Sequence, residues 1–358
     1  MLKFHSLRVL AVERLAEDAA CVTLQIPVDL RAAFAHDAGQ YVTLRRKIEE
    51  KDEHRTYSIV SAPGSSEMKL GIRLQHGGRM SGDLAANLRP GEMLDLGTPM
   101  GRFRTSINAE RRYGYVAFAA GSGITPILSL ATEIMSKEPL SRFTLIYGNR
   151  SIARTMFLED TLALKNRYLD RFSVHFLMSR EPQQAAFLNG RIDGAKVREL
   201  SSQIVEICAA DEYLICGPGD MVDEVRGVLQ SLNGSAQIRF ERFASAIRPR
   251  KAAEPLHAIQ ALEQAMASIS IVMDGRRRTF PMSPGDASVL DAAERAGLEL
   301  PFSCRAGICA TCRARVIDGA AVMTHNIALA KWEIDGGFIL CCQARPVTAT
   351  LEVSYDQK

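Results

Sequence analysis

The stretch PFSCRAGICATCRARV, residues 301–316, places three cysteines within nine positions, and ILCCQARP near the C-terminus adds two more. The spacing is Cys304-x4-Cys309-x2-Cys312, with twenty-nine residues before Cys342. No other feature of the 358-residue chain restricts its fold so tightly, because five clustered thiols must be built around whatever they hold. The other three, Cys21, Cys208 and Cys216, are scattered; Cys21 and Cys208 sit in apolar stretches and read as small core residues. The N-terminal stretch is interrupted by Lys3, Arg8, Glu13 and Arg14, so it lacks the unbroken apolar region of a signal peptide. No apolar run has the length that a bilayer demands, so a cytoplasmic location with no membrane partner is the default expectation. In a reducing compartment, clustered cysteines argue for a metal site or redox chemistry over disulfides.

The spacing separates the remaining chemistries. A zinc ribbon prefers two C-x2-C knuckles, and here there is one plus an adjacent pair. A thioredoxin-type CxxC would open a helix after a strand and leave Cys304 surplus. The x4, x2 and distant-fourth pattern is that of a plant-type 2Fe-2S cluster, with Cys304, Cys309 and Cys312 as three ligands. A loop wrapped around such a cluster must bring its backbone close, which accounts for the small residues Ala306, Gly307 and Ala310. Cys341 and Cys342 compete for the fourth position. Adjacent side chains on an extended segment point opposite ways, which favours Cys342 with Cys341 as a buried neighbour.

A chain of this length predicts two or three domains. Residues 1–108 contain short apolar or alternating runs (CVTLQIPV, GQYVTLRRKI, RTYSIVSA, MKLGIRLQ, EMLDLGTP) separated by Gly, Pro and Asp, as in a small antiparallel barrel. One helix, SGDLAANLRPG, is expected to begin at a capping Ser81. Residues 109–243 alternate strands with helices: YGYVAFAAG, PILSLATEIMSKE, FTLIYGN, ARTMFLEDTLALKNR, FSVHFLMS, DEYLICGPG, DMVDEVRGVLQSL. That rhythm means a parallel sheet covered on both faces. Residues 244–267 are rich in Ala, charge and Pro and read as a linker. From 268 to 358 the pattern is mixed, with a hairpin around Asp274–Gly275, a helix in SVLDAAERAGLEL, the cysteine loop and a closing strand TATLEVSY. The net charge of +3 is nearly balanced and gives no support for nucleic-acid binding.

Two further regions carry chemistry. Arg55-Thr56-Tyr57-Ser58 precedes a Gly77–Gly78 turn that runs into a helix, where free N–H groups and the dipole suit a pyrophosphate. Arg55 could supply a cation to the same phosphates and Tyr57 could lie against a flat ring, although RTYS alone equally suits an exposed Arg and a half-buried Tyr on a strand. The second region opens with a buried strand and Gly121-Ser122-Gly123-Ile124-Thr125-Pro126. Its two glycines let the backbone approach a pyrophosphate, and its Pro sits where a helix begins. Cys216-Gly217-Pro218-Gly219-Asp220-Met221 is another strand-to-helix turn at the carboxyl edge of the sheet, where ligands bind in such folds.

Residues 1–243 resemble the ferredoxin–NADP⁺ reductase family through RxYS, GGxxS, GxGxxP and CGPxxM in that order. The last segment resembles plant-type ferredoxin, and Cys342-Gln-Ala-Arg-Pro346 fits its C-x3-P ending. The order flavin, nicotinamide, ferredoxin is that of reductase components of bacterial oxygenases. The stretches YGNRS and ERF, and the region of the fourth cysteine, are most similar to the reductases of phenylacetyl-CoA epoxidases; Cys341 departs from that pattern, where Ser or Gly is expected. The resemblance implies an FAD-binding β-barrel, an α/β parallel-sheet NAD(P)-binding domain and an α+β β-grasp ferredoxin domain. It implies that Arg55 binds the FAD pyrophosphate, that Tyr57 packs on the isoalloxazine and that Ser58 lies near its N5 edge. Gly78, Arg79, Met80 and Ser81 hold phosphates at the helix start. Gly121, Ser122, Gly123, Thr125 and Gly217 approach the nicotinamide dinucleotide, and Cys216 lies beside its ring. Tyr57, Ser58 and Cys216 are thus the expected catalytic residues. Phe243 closes over the flavin, or else simply packs the end of the last strand.

Arg150 and Ser151 follow the second parallel strand, where an Arg accommodates a 2′-phosphate and a carboxylate would read a 2′-hydroxyl. With Arg180 after the next strand, they predict NADPH over NADH. The implied path runs from NADPH through FAD and the 2Fe-2S cluster to the oxygenase component of a multicomponent monooxygenase, here a di-iron epoxidase acting on phenylacetyl-CoA. A reductase for a Rieske-type hydroxylase is the alternative within the class. A redox-sensing protein, whose flavin segment only scaffolds the cluster, is the alternative from another class, and the intact GxGxxP and CGPxxM motifs speak against it.

Overall fold

The computed structural model describes residues 3–243, 267–329 and 331–357, so the expected linker lies outside the described residues except for Ala267. The first sheet comprises β1 (Phe4–Ala16), β2 (Ala19–Gln25), β3 (Tyr41–Ile48), β4 (Lys51–Ser58), β5 (Glu67–Arg73) and β6 (Met93–Gly97). Their order is β4-β3-β6-β1-β2-β5, every pair is antiparallel, and an Ile59–Leu70 bridge brings the two edges together into a barrel. Leu7, Val9, Val22, Leu24, Val42, Leu44 and Leu94 fill its interior. Burying each contributes about 1.5–3 kcal/mol before entropy is subtracted. β1 is hard to read as a strand in the sequence: Arg8, Glu13 and Arg14 obscure its pattern, yet Leu7 and Val9 alternate inward past the outward Arg8.

Helix α1 (Arg79–Asn87) follows β5, but its start differs from expectation. Gly78 is the N-cap, and Ser81 stands one turn inside, where its Oγ accepts the Gln75 N–H at 3.1 Å. The Gly77 φ of +70° turns the chain into the helix, a conformation that glycine adopts without strain.

The second sheet comprises β7 (Gly114–Ala120), β8 (Arg142–Asn149), β9 (Phe172–Met178), β10 (Glu212–Pro218) and β11 (Gln237–Phe243), with α2 (Ile124–Lys137), α3 (Leu158–Arg167), α4 (Gly194–Gln203) and α5 (Gly219–Leu232) between them. All pairs are parallel and the order is β11-β10-β7-β8-β9, which places a reversal of strand order between β7 and β10. The helix expected over ARTMFLEDTLALKNR begins only at Leu158. Met156 and Phe157 are buried instead, and Phe157 takes a left-handed φ of 52° as the chain turns into α3. The barrel and this sheet form one compact unit.

The C-terminal unit contains β12 (Ala267–Met273), β13 (Arg276–Met282), α6 (Val289–Arg295), β14 (Arg313–Met323), α7 (Lys331–Asp335), β15 (Phe338–Leu340) and β16 (Ala344–Ser354). The sheet order is β13-β12-β16-β14-β15, with β12 and β16 parallel and the other pairs antiparallel, a β-grasp arrangement. Asp274 and Gly275, both at positive φ, make the expected two-residue hairpin turn. Ser288 caps α6 by accepting the Asp291 N–H at 3.2 Å, and the helix buries Val289, Leu290, Ala292 and Ala293.

Candidate cofactor sites and electron-transfer centre

The cysteine loop lies between α6 and β14, and three of its residues, Arg305, Gly307 and Ala310, have positive φ. Gly307 is required by space as well. A Cβ there would stand 2.7 Å from the His325 carbonyl oxygen, while the Gly307 carbonyl accepts the Ile327 and Ala328 N–H groups at 3.0 Å. The Sγ of Cys304 accepts N–H groups from Ala306, Ile308 and Cys309, each at 3.4 Å. The thiols stand in two pairs: Cys304 is hydrogen-bonded with Cys309, and Cys312 with Cys342. The bond from Cys309, and then the surrounding N–H groups, hold the Cys304 thiol down to about 5 against the opposing effect of burial. Cys342 is held down first by its bond with Cys312. Their partners Cys309 and Cys312 are pushed well up by those same bonds and by burial.

Among the described residues no three ligand-type side chains gather closely enough for a single metal ion. Two pairs of thiols suit two irons with two cysteines each. The donor set therefore fits a 2Fe-2S cluster with Cys304, Cys309, Cys312 and Cys342 as ligands. Cys341 is fully buried and faces Tyr355, and burial pushes its thiol up to about 12.

On β4, Arg55 is exposed, Tyr57 packs half-buried against the barrel core and Ser58 is buried. Strand alternation sets Glu53, Arg55 and Tyr57 on one face. Glu53 pairs with Arg55 at 3.2 Å and with Arg79 of α1 at 3.2 Å, so one carboxylate holds together the two guanidiniums expected at the FAD phosphates. Glu53 is not among the residues the motifs single out, although its position two residues before Arg55 is readable. Met80 is a core residue and the Ser81 hydroxyl is engaged, so these positions offer backbone N–H groups at the start of α1. Burial raises the Tyr57 phenol above its ordinary range.

The reversal of strand order brings the Gly121–Thr125 loop beside the end of β10. Gly121 has φ +56°, and Thr125 donates its hydroxyl to the Ser122 carbonyl at 2.9 Å. A Cβ on Gly123 would lie 2.2 Å from the Cys216 carbonyl oxygen. Cys216 has no exposed surface, and Gly217 packs against Met221 and Ala120. Arg150 and Arg180 are exposed neighbours: the Arg180 N–H donates to the Arg150 carbonyl at 2.9 Å, and neither side chain forms an ion pair among the described residues. Glu181 also reaches this loop, where its carboxylate accepts the Ile152 N–H at 2.9 Å. Phe243 ends β11 opposite Pro218, half-buried against the core.

Register across β10 and β11 sets Glu241 opposite Cys216, a juxtaposition that requires the sheet order and is invisible in the sequence. The Glu241 Oε2 is buried without a hydrogen-bond partner, and burial pushes the carboxyl up to about 8. Burial, with Glu241 adding to it, raises the Cys216 thiol as well. Glu241 thus stays protonated in the fold through a range in which the unfolded chain would ionise it. The stability it contributes is complete below its ordinary value of 4.5 and is lost as pH rises towards 8. Melting temperatures of the protein and of Glu241→Gln, taken from pH 5 to pH 8, are therefore expected to diverge in favour of the Gln variant. A gap that stays constant across this range contradicts the assignment.

Three family models match the chain. An oxidoreductase FAD-binding domain covers residues 6–105, an oxidoreductase NAD-binding domain covers 118–227, and a 2Fe-2S iron-sulfur cluster binding domain covers 271–347. The chain is 35% identical over 359 residues to a subunit of the 1,2-phenylacetyl-CoA epoxidase of Escherichia coli (strain K12), covering 100% of this chain and 99% of that one. It is 27% identical to the ferredoxin reductase component of 3-ketosteroid-9-alpha-monooxygenase of Rhodococcus rhodochrous, covering 98% and 96%. Among solved structures, phthalate dioxygenase reductase matches with a TM-score of 0.59 and 20% identity over 98% of both chains, which shows the same fold. Among the described residues no helix is long and apolar enough to cross a membrane.

Proposed function

The chain belongs to the FAD-, NAD- and 2Fe-2S-binding reductases that serve oxygenases, and from that premise we propose that it draws electrons from NADPH and delivers them to a di-iron epoxidase acting on phenylacetyl-CoA. When bound, FAD accepts the hydride as a pair of electrons and the 2Fe-2S cluster carries single electrons onward. The chain's own residues bind and orient. Arg55 and Arg79, gathered by Glu53, are placed to neutralise the FAD pyrophosphate; the helix start at Arg79–Ser81 offers it N–H groups, and Tyr57 offers the ring a flat apolar face. Gly121–Thr125 and Cys216–Gly217 frame the nicotinamide side. The observation that supports NADPH is the pair Arg150 and Arg180, two guanidiniums without ion-pair partners among the described residues against the single carboxylate of Glu181, itself capped by the Ile152 N–H.

A charged hydrogen bond is worth about 1.5–3 kcal/mol, which corresponds to about 10–150-fold in rate. Arg150→Ala is therefore expected to lower kcat/KM for NADPH by about tenfold or more and to leave NADH nearly unchanged. An unaltered NADPH/NADH ratio removes the assignment. The choice of epoxidase is supported by the full-length likeness to the Escherichia coli epoxidase subunit. Reconstitution with candidate oxygenase components tests it: NADPH-dependent turnover of phenylacetyl-CoA is expected, and turnover only with a Rieske-type hydroxylase would favour the other reading.

A further inference from the structure

β5 touches both cofactor sites. Its end leads through Gln75–Gly78 into α1, the turn expected to hold the FAD phosphates. Gly71 and Arg73, two residues apart, share one face of the strand. A Cβ on Gly71 would stand 2.6 Å from the Phe157 ring, 2.8 Å from Thr125 Cγ2 and 3.0 Å from Met156 Cε. Thr125 belongs to the first dinucleotide loop, and Met156 and Phe157 belong to the segment that follows Arg150–Ser151. Gly71 therefore allows the barrel to close onto both loops.

Arg73 extends this contact with charge. Its Nη1 donates to both Asp18 oxygens, at 2.8 and 3.0 Å, and its Nη2 donates to the Arg154 carbonyl at 2.8 Å. Its Nε lies 3.9 Å from where a side chain on Gly121 would begin. Arg154 Nη2 donates to the same Asp18 carboxylate, and the Glu17 N–H donates to the Ala153 carbonyl at 2.8 Å. Asp18 and Arg73 come from the barrel and Arg154 from the parallel-sheet domain. The side chains of Asp18 and Arg73 are only 12% and 15% exposed. A carboxylate shared by two guanidiniums at this depth holds its geometry firmly, since removing either kind of partner leaves a buried charge uncompensated. Unlike Arg150 and Arg180, these two arginines are both ion-paired with Asp18, through Nη1 of Arg73 and Nη2 of Arg154.

We propose that Asp18, Arg73 and Arg154 form an interdomain clasp that registers the Gly121–Thr125 loop against the flavin barrel, which makes Asp18 a positioning residue for hydride transfer. The inference rests on the reading of the chain as a nicotinamide-dependent flavin reductase and not on the choice between NADPH and NADH. The reacting atoms must approach to about 3–3.5 Å, and a displacement of about 1 Å can cost about 100-fold. The two partners in that approach are held by different domains, and the clasp joins those domains beside the loop.

The test uses the full-length protein carrying FAD and cluster. Flavin bleaching is followed anaerobically by stopped flow at saturating NADPH, and separately at saturating NADH. Asp18→Asn is expected to lower the limiting rate tenfold or more with both nucleotides, with FAD content unchanged and the Kd for NADP⁺ within threefold of wild type. Arg154→Met should do the same, and the double variant should be no worse than the poorer single one, because the residues act as a unit. A limiting rate within twofold of wild type in Asp18→Asn, or a defect confined to nucleotide affinity, overturns the proposal. Should Asp18→Asn fail to fold, Arg154→Lys keeps the charge but loses the fork, and decides the matter in the same way: a threefold or larger loss of limiting rate supports the clasp and an unchanged rate overturns it. Absence of flavin bleaching in the unaltered protein would overturn the underlying reading, and the clasp with it.

Discussion

Cys342→Ala is expected to abolish the visible and EPR signature of a 2Fe-2S cluster, while Cys341→Ala keeps it. The two residues are adjacent but serve opposite sides of the chain. Cys342 is hydrogen-bonded with Cys312, and the pair mirrors Cys304 with Cys309. Cys341 faces Tyr355; its N–H donates to the Cys312 carbonyl and its carbonyl accepts the Leu290 N–H, both at 3.0 Å. Losing Cys342 leaves one iron a thiolate short. Losing the Cys341 sulfur opens only a small cavity, worth about 1 kcal/mol, and thermal unfolding should register it. In Cys342→Ala, NADPH-driven reduction of cytochrome c should fall below about a tenth of wild type while the flavin is still bleached. Loss of the cluster in Cys341→Ala, with the cluster retained in Cys342→Ala, would reverse the assignment.

Gly123→Ala should be nearly as damaging, and at the other end of the electron path. The Gly123 φ of −61° suits alanine, so only space forbids the change. The new Cβ would meet the Cys216 carbonyl oxygen at 2.2 Å, its carbon at 2.6 Å and the Gly217 nitrogen at 3.0 Å. All three are backbone atoms, so no side chain can swing aside. Overpacking of this kind costs about 1–3 kcal/mol, and the strain is relieved by lifting the start of α2 away from β10. A shift of about 1 Å at this loop displaces the nicotinamide and costs about 100-fold in hydride transfer. We expect NADPH-dependent flavin bleaching to fall about 30-fold or more, with FAD content and the dithionite-reduced cluster spectrum intact. Bleaching within twofold of wild type would show that this contact does not set the geometry.

The architecture is legible in the sequence where residue patterns are local. Cysteine spacing, the strand-to-helix turns with their glycines and the alternation of strands and helices all act over a few residues. What escapes the sequence depends on pairing between distant segments. Glu241 matters because register sets it opposite Cys216, twenty-five residues earlier in the chain. Asp18 matters because Arg73 arrives from the end of β5 and Arg154 from the turn that follows β8. Ser81 has the look of a cap because Ser before an apolar run usually is one, but the chain uses the Gly77–Gly78 turn to start the helix earlier and engages the hydroxyl with Gln75. The helix at Leu158 starts late for the converse reason, since Met156 and Phe157 are packed against Gly71 on the barrel.

Electrons taken from a nicotinamide nucleotide should reach a cluster held by Cys304, Cys309, Cys312 and Cys342 of the same chain. Anaerobic titration with NADPH, monitored by absorbance and by EPR on frozen samples, probes that path from end to end. The flavin is expected to bleach and the signal of a reduced 2Fe-2S cluster to grow in, and Cys342→Ala should lose the cluster signal alone. A flavin fully reduced by NADPH beside a cluster that stays EPR-silent, yet is reduced by dithionite, would refute it.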